Sequence, residues 1–456
     1  MKIAILGAAG VRTPLIVQAM ALRQKRIGLS ELWLMDIDPE RLDLIGALTA
    51  PIETSGRLAF GIHRTIDARQ ALRGADYVIT TFRVGGIESR AMDERIPLNL
   101  GVLGQETTGP GGFAMAMRTI PVLLGYIDMM RELCPQAWLV NFANPAGLLA
   151  EVILREAGWK RAVGICDAPG TMQRAAAAML HVPVEEVFLD YFGLNHLGWI
   201  RRIMVQERDY LPELLRMISR HGGIRELPFS ADFLTGLGMI PNEYLYYYYN
   251  TRQSVGNILK GGESRGEQIS RLNAELFKNL RVLREKEDFE GMQDCYQAYL
   301  DTRGGTYMIT ETGKAQNLAD LDPQVIEAIT SEGYAGVALD LIEALQGGGS
   351  RPIPLNILDQ GAIQGMEKSD VVEVPAYIGK GYIRPLAVGA IPGHCLGLMK
   401  QVKNYERLTI EAVLEGSYAK AVQALTIHPL VADSSLAKSI LDGYLRCHGD
   451  LFPTLA

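Results

Sequence analysis

The first 36 residues set the strictest limit on what this chain can fold into. Lys2–Leu6 is a short apolar run, Gly7-Ala8-Ala9-Gly10 is a row of small residues suited to a tight turn, and Thr13–Lys25 is amphipathic with Pro14 near its start. A second apolar run, Glu31–Met35, ends in Asp36. Strand, turn, helix and strand in that order make a βαβ unit, whose two strands lie parallel. The alternation continues, with strands expected at Tyr77–Phe82, Ala137–Phe142 and Arg161–Ile165 and helices around Asp67–Leu72 and Phe113–Leu133. The first half therefore reads as an α/β fold, a Rossmann-like doubly wound parallel sheet. With 456 residues the chain outgrows one core, and a division near residue 170 gives units 1–170 and 171–456.

The opening turn also reads as a cofactor site. Gly7, Ala8, Ala9, Gly10, Val11 and Arg12 lead into a helix N-terminus, where small side chains let the backbone approach a pyrophosphate. Asp36 stands where an acidic residue holds the adenosine ribose, which favours NAD over NADP, while Arg41 leaves that choice open. Against G-x-G-x-x-G, Ala9 and Arg12 replace the second and third glycines, so a βαβ turn without ligand is the other reading.

Composition excludes several classes of function. Subtracting 52 acidic from 45 basic residues leaves a net charge of −7, and no basic block exists to follow a nucleic acid backbone. The longest uninterrupted apolar runs fall short of the ~18 residues of a membrane span, so a cytoplasmic protein with no membrane contact is expected. Five cysteines without a Cys-x-x-Cys pair argue against a disulfide framework and a structural zinc site.

In an open α/β sheet, ligands gather beyond the carboxyl ends of the strands. That edge carries Thr80-Thr81-Phe82-Arg83, Asn141-Phe142-Ala143-Asn144-Pro145 and Cys166-Asp167, and a little further on "DYFGLNHLGW" (190–199) sets Asn195 and His196 in an apolar stretch. A Cys thiolate and a neutral imidazole suit a divalent transition ion. A buried Cys and a hydrogen-bonded core His are the alternative, and spacing does not decide between them.

Taken together, "FRVGGIESRAMDERIPLNLGVLGQETTGPGGFAMAMRTIP" (82–121), "NFANPAG" (141–147), "GICDAPG" (164–170), "FGLNHLGW" (192–199), "IPNEYLYYYY" (240–249) and "LNILDQGAIQGMEKSDVVEVP" (355–375) closely resemble the family-4 glycoside hydrolases, above all the 6-phospho-glucosidases. The resemblance implies an α+β second half of the lactate and malate dehydrogenase type, NAD and a divalent metal, most often manganese, as cofactors, and a homodimer or homotetramer. It implies oxidation at the sugar C3, removal of the C2 proton, elimination of the aglycone and addition of water. This NAD-dependent family stands outside the two-carboxylate scheme of most glycosidases. By the same resemblance Cys166 and His196 are the metal ligands, Tyr244 is the base, Glu106 raises the basicity of Tyr244, and Asp167 protonates the departing oxygen. Arg90 and Arg265 would take the sugar phosphate and Asn144 the sugar hydroxyls, with Arg83 a further phosphate candidate and Thr80 a cofactor contact. For Arg265 a structural ion pair is an equal alternative. Asp167 leans toward α-linked substrates, the "ETTGPGG" and "DERIPL" wording toward β. "GAAGVRTP" and Asn242-Glu243 depart from the family's common wording.

Three other functions fit parts of the sequence: a family-4 enzyme for unphosphorylated α-glycosides, an NAD-dependent sugar or hydroxy-acid dehydrogenase using His196 as base, and an NAD-linked sensor. Adjacent His394-Cys395 and Cys447-His448 read as packing residues with diverging side chains. Tyr244 and Tyr248 are expected on one helical face, residues 271–290 form a solvated amphipathic face, and "QGGGSRP" (346–352) is a flexible loop.

Overall fold

Thirteen strands form one sheet among the residues that the computed structural model describes, 1–221, 228–313, 333–349 and 352–456. Six of them are β1 (Lys2–Leu6), β2 (Glu31–Met35), β3 (Gly61–Thr65), β4 (Tyr77–Thr80), β5 (Trp138–Asn141) and β6 (Ala162–Gly164). They lie parallel in the order β3-β2-β1-β4-β5-β6, the order of a dinucleotide-binding sheet. The strand expectations fall on β1, β2, β4, β5 and β6. What the sequence does not announce is β3, whose "GIHRT" is polar and half-exposed at the sheet edge, and the helix Pro39–Thr54, started by Asp38, whose carboxylate accepts from the Arg41 amide.

The sheet does not stop at residue 170. It continues through β7 (Val187–Leu194), β8 (Leu197–Val205), β9 (Arg208–Asp209), β10 (Ile240–Pro241), β11 (Ile353–Leu358), β12 (Val371–Gly379) and β13 (Tyr382–Pro385). These are antiparallel, and β11 joins the parallel half through the single pair Asn356↔Gly164. That junction places the hairpin β7–β8 beside the carboxyl ends of the parallel strands.

The helix Gly109–Leu133 is long and apolar enough by composition to cross a bilayer, which the search for uninterrupted apolar runs missed. Its Phe113, Met117, Ile120 and Leu123 are buried in the cores on either side of β1 and β4, so its apolar character serves packing. A fully buried pair, Arg118 with Asp93, ties this helix to the helix Gly86–Leu98, and His448 lies 2.8 Å from Asp93. The helix Arg265–Glu285 buries Leu272, Leu276, Phe277 and Leu280 and pairs outward Arg281 and Arg284 with Glu40 and Asp43, as an amphipathic face should. Cys447 and His448 diverge, the first exposed and the second buried, but His394 and Cys395 do not: Nε2 and Sγ lie 3.3 Å apart at the start of the helix Gly393–Glu415. In the glycine-rich stretch 346–352, Gly347 and Gly348 cap the helix Gly333–Leu345 by hydrogen bonds to Ala344 and Glu343, and residues 350 and 351 lie outside the described residues.

Gly7 is where the opening turn is decided. Its φ is +97°, and a Cβ there would stand 2.3 Å from the Phe82 amide nitrogen. Gly7→Ala is therefore expected to cost at least about 1–3 kcal/mol of stability, read as a lowered thermal midpoint. An unchanged midpoint would show that the backbone can give way.

Candidate active site

The nucleotide turn is fastened from three sides. The amides of Gly7 and Ala8 both donate to the Met35 carbonyl, and Tyr296 donates its hydroxyl to the Val11 carbonyl at 2.6 Å. Asp36 accepts from the Ala9 amide at 2.9 Å and the Asp38 amide at 3.1 Å, and burial raises its carboxyl pKa against the pull of those bonds. Arg12 caps the first helix and reaches to 3.7 Å of Asp167, so the turn and the Cys166-Asp167 strand end face one space. Thr80 belongs to the wall of that space: it is fully buried and its hydroxyl donates to Asn141 Oδ1 at 2.7 Å. That bond fixes the hydroxyl and leaves its lone pairs to accept from a further group.

Cys166 and Asp167 follow β6 and lead into the helix Ala168–Leu180, where Pro169 favours the first turn. The thiol is buried, 4.0 Å from Asp167 Oδ1. Burial pushes its pKa well up, and Glu373 and Asp167 push it further, so without a nearby cation it holds its proton. His196 lies at the tip of the β7–β8 hairpin, in a two-residue connection after the pair Leu194↔Leu197, with φ +60°. Burial pulls its pKa down to about 4, although Glu106 and Asp167 act the other way, so the imidazole is neutral at pH 7. Its Nδ1 is buried and has no hydrogen-bond partner among the described residues.

Tyr244 joins the two. Asn242 receives the Tyr244 amide on Oδ1 at 3.0 Å and donates its own amide to Gly198 at 2.8 Å, which pins the turn Glu243–Leu245 to β8. The Tyr244 ring lies flat on His196, centroids 3.6 Å apart at 9°. Burial raises its phenol well above 10, followed by the charges of Tyr307, Glu243, Cys166 and Asp167. Tyr248 goes elsewhere, toward His428 at 6.0 Å, because the chain runs as a tight turn through Leu245 before the helix Tyr246–Tyr249 begins.

Glu106 pairs with two arginines. It binds Arg83 at 2.5 Å and Arg90 at 2.9 Å and makes no hydrogen bond to Tyr244 among the described residues. Burial alone would raise its carboxyl, but Arg90 and Arg83 hold it far below the usual range. The group hydrogen-bonded to Tyr244 is Tyr307, which also bonds Glu243, and burial pushes Glu243 up to about 7. Arg90 is engaged by Glu94 at 2.8 Å as well as by Glu106. Arg265 is buried and pairs with no carboxylate among the described residues; it donates to Thr306 at 2.8 Å and to the Arg303 carbonyl at 2.7 Å. Asn144, half-buried after β5, stands in a cis Asn144-Pro145 bond at the same strand edge.

Glu373 is a site residue that sequence reasoning missed. Buried in β12, it accepts from Tyr191 at 2.7 Å, Asn356 at 3.0 Å and Asn195 at 3.3 Å, and burial pushes it up to about 7. Gly198 makes that possible, since a Cβ there would stand 2.1 Å from the Tyr191 hydroxyl oxygen. The one available signal was a lone acid amid "VVEVP". No cluster of three or more His, Cys, Asp or Glu suited to a metal occurs among the described residues. The expected donors, Cys166 and His196, are one sulfur and one imidazole, and the charge of Asp167 acts on both.

Comparison with known proteins places most of the chain in one family. The family description "Family 4 glycosyl hydrolase" matches residues 2–182 and its C-terminal domain matches residues 191–431. A "Probable 6-phospho-beta-glucosidase" of Bacillus subtilis (strain 168) is 34% identical over 99% of this chain and 97% of its own. A solved 6-phospho-beta glucosidase from Thermotoga maritima with manganese, NAD+ and glucose-6-phosphate aligns over 100% of both chains at 27% identity and TM-score 0.81. A solved 6-phospho-alpha-glucosidase from gut microorganisms with NAD and Mn2+ does so over 100% of this chain and 99% of its own at 26% identity and TM-score 0.81. A lactate dehydrogenase from a deep-sea metagenome library, 14% identical over 91% of this chain and 98% of its own at TM-score 0.51, shares the fold alone.

Proposed function

Because the chain belongs to the family 4 glycosyl hydrolases, we propose that it hydrolyses 6-phospho-glucosides with NAD and a divalent cation, manganese, as cofactors. The observation that carries this reading is the buried Nδ1 of His196, unpartnered among the described residues, on an imidazole stacked against Tyr244, whose phenol feels the charges of Cys166 and Asp167. A neutral imidazole and a thiol suit a transition ion, and such an ion would turn the thiol into a thiolate. When bound, the metal would act as a Lewis acid toward the sugar oxygens, and NAD would supply reversible oxidation at C3.

The chain's own residues divide the remaining work. Tyr244 takes the proton from C2, and its stacking on His196 holds the phenol oxygen in one place. Asp167 gives a proton to the departing glycosidic oxygen; Arg12 at 3.7 Å orients it. Arg265 meets the sugar phosphate with a guanidinium that has no carboxylate partner among the described residues, Arg90 and Arg83 stand by as further phosphate donors although Glu94 and Glu106 hold them in the free protein, and Asn144 faces the sugar hydroxyls. Glu106, fixed as an anion beside His196, helps to balance the cation's charge. Residues 7–12 and Asp36 hold the dinucleotide, so 1–170 carries the cofactor, and Arg90, Asn144 and Asp167 of that unit meet the sugar together with His196, Tyr244 and Arg265 of 171–456. A dehydrogenase base of the His type would rest on a carboxylate, and Nδ1 of His196 has none among the described residues.

The test offers chromogenic α- and β-glucoside 6-phosphates and their unphosphorylated forms with NAD+ and Mn2+. Release of the aglycone is expected from a phosphorylated substrate only, and a chelator should remove it with recovery on adding Mn2+. Turnover that survives chelation, or accumulation of NADH in step with substrate use, would overturn the reading. A cytoplasmic homodimer or homotetramer completes it, supported by exposed Met92, Leu100, Tyr377 and Tyr382, and sedimentation velocity reads the assembly.

A further inference from the structure

Arg303 is a half-buried guanidinium in the last turn of the helix Phe289–Gly305, and no carboxylate pairs with it among the described residues. Its Nη1 donates to the Tyr299 hydroxyl at 2.7 Å, and that hydroxyl donates onward to Asn273 at 2.6 Å, so the phenol acts as an acceptor and aims the guanidinium. Its carbonyl accepts Nη2 of Arg265 at 2.7 Å, which puts two guanidinium-bearing residues side by side. Through Tyr296 and the Val11 carbonyl, 2.6 Å apart, the same helix is fastened to the nucleotide turn. Arg12 and Arg90 are the neighbouring charges that act on Arg303, both of its own sign, and together with burial they lower its pKa. A helix C-terminus offsets only a small part of such crowding. Arg90 is already paired with Glu94 and Glu106, and the partly exposed Arg12 lies 3.7 Å from Asp167, so of these four Arg265 and Arg303 are the two guanidinium groups left without a carboxylate among the described residues, where an anion would offset the cost of their burial.

We propose that Arg303 is a phosphate-binding residue that acts with Arg265 as a two-guanidinium clamp on a phosphate group held between the nucleotide turn and Arg90. Two sources carry that chemistry, the 6-phosphate of the sugar and the diphosphate of the dinucleotide. The inference rests on the functional reading above and deepens it.

The full-length manganese-loaded protein, Arg303→Gln and Arg303→Lys are titrated calorimetrically with glucose 6-phosphate, glucose and NAD+. Arg303→Gln is expected to weaken one phosphate ligand by about ten- to a hundredfold, since charge-assisted paired bonds are lost. Arg303→Lys should recover part of that, keeping the charge without the planar fork. Glucose affinity and the thermal midpoint should stay as in the parent protein. Weakening confined to glucose 6-phosphate assigns the sugar phosphate, and weakening confined to NAD+ assigns the diphosphate. If both ligands bind both variants as tightly as the parent, or if only the thermal midpoint falls, Arg303 is a helix-end charge and the inference is overturned. If the parent protein itself binds glucose 6-phosphate no better than glucose, the functional reading fails first, and this inference with it.

Discussion

Cys166→Ser is expected to lower kcat on a glucoside 6-phosphate by about 1,000-fold, because several kcal/mol of Lewis-acid stabilisation leave with the cation. The sulfur sits at the end of β6, buried, with Asp167 beside it and Glu373 and Asp167 both acting on it. A thiol in such a place titrates far too high to be a nucleophile or an anion by itself. Bound to a divalent cation it would lose its proton, and this coupling makes affinity for the metal depend on the sulfur. Serine occupies similar space but gives up its proton much less readily, so manganese should no longer be retained. The direct reading is the paramagnetic resonance of free Mn2+, which should rise in the variant's titration to that of buffer. The fold should survive with a loss of no more than about 1–3 kcal/mol for an unsatisfied hydroxyl. A variant that keeps the parent's rate, or its manganese, would remove Cys166 from the site.

Tyr244→Phe is expected to lower kcat by about 100- to 10,000-fold, the usual worth of a positioned acid–base group. KM should change little, since the phenyl ring keeps the stack on His196. In the pocket without ligands, burial raises the phenol's pKa, and Tyr307 and Glu243 raise it further. A base of that kind works near neutrality only with a cation close by, so the tyrosine and the metal must act together. In D2O the parent protein should leave deuterium at C2 of its product, and the variant should slow that exchange as much as it slows cleavage. A variant that still labels C2 at the parent's rate would transfer the base to another group. Tyr307, which hydrogen-bonds both Tyr244 and Glu243, is the group to examine next.

The residues that could be read from the sequence were those whose chemistry announces itself locally. The short strand Ala162–Gly164 is followed by Ile165 and then by Cys166-Asp167, two groups that can carry chemistry at a strand end. "GLNHLGW" sets an imidazole between two strands that pair as a hairpin. By contrast, the ion pairs of Glu106 could not be read, because sequence order says nothing about which of several arginines will reach a carboxylate first. Arg83 and Arg90 lie on the segment just before it and claim both the charge and the hydrogen bonds. Thr80 looked available at a strand end, but the amide side chain of Asn141 on the neighbouring strand takes its hydroxyl. Glu373, Tyr307 and Arg303 were passed over because each is unremarkable beside its own neighbours in sequence.

The sequence by itself determined the parallel sheet, the tight turn after β1 and the family to which the chain belongs. These follow from periodicity, from the need for a residue without Cβ at Gly7 against Phe82, and from motifs that keep their order along the chain. Tertiary structure alone decided which charges neutralise one another. β11 closes onto β6 and carries β12, with Glu373, toward Cys166, while the helix Arg265–Glu285 brings Arg265 next to Arg303. Both contacts span more than a hundred residues or cross between helices, and electrostatic energy depends on separation in space and on burial, neither of which is written in local sequence.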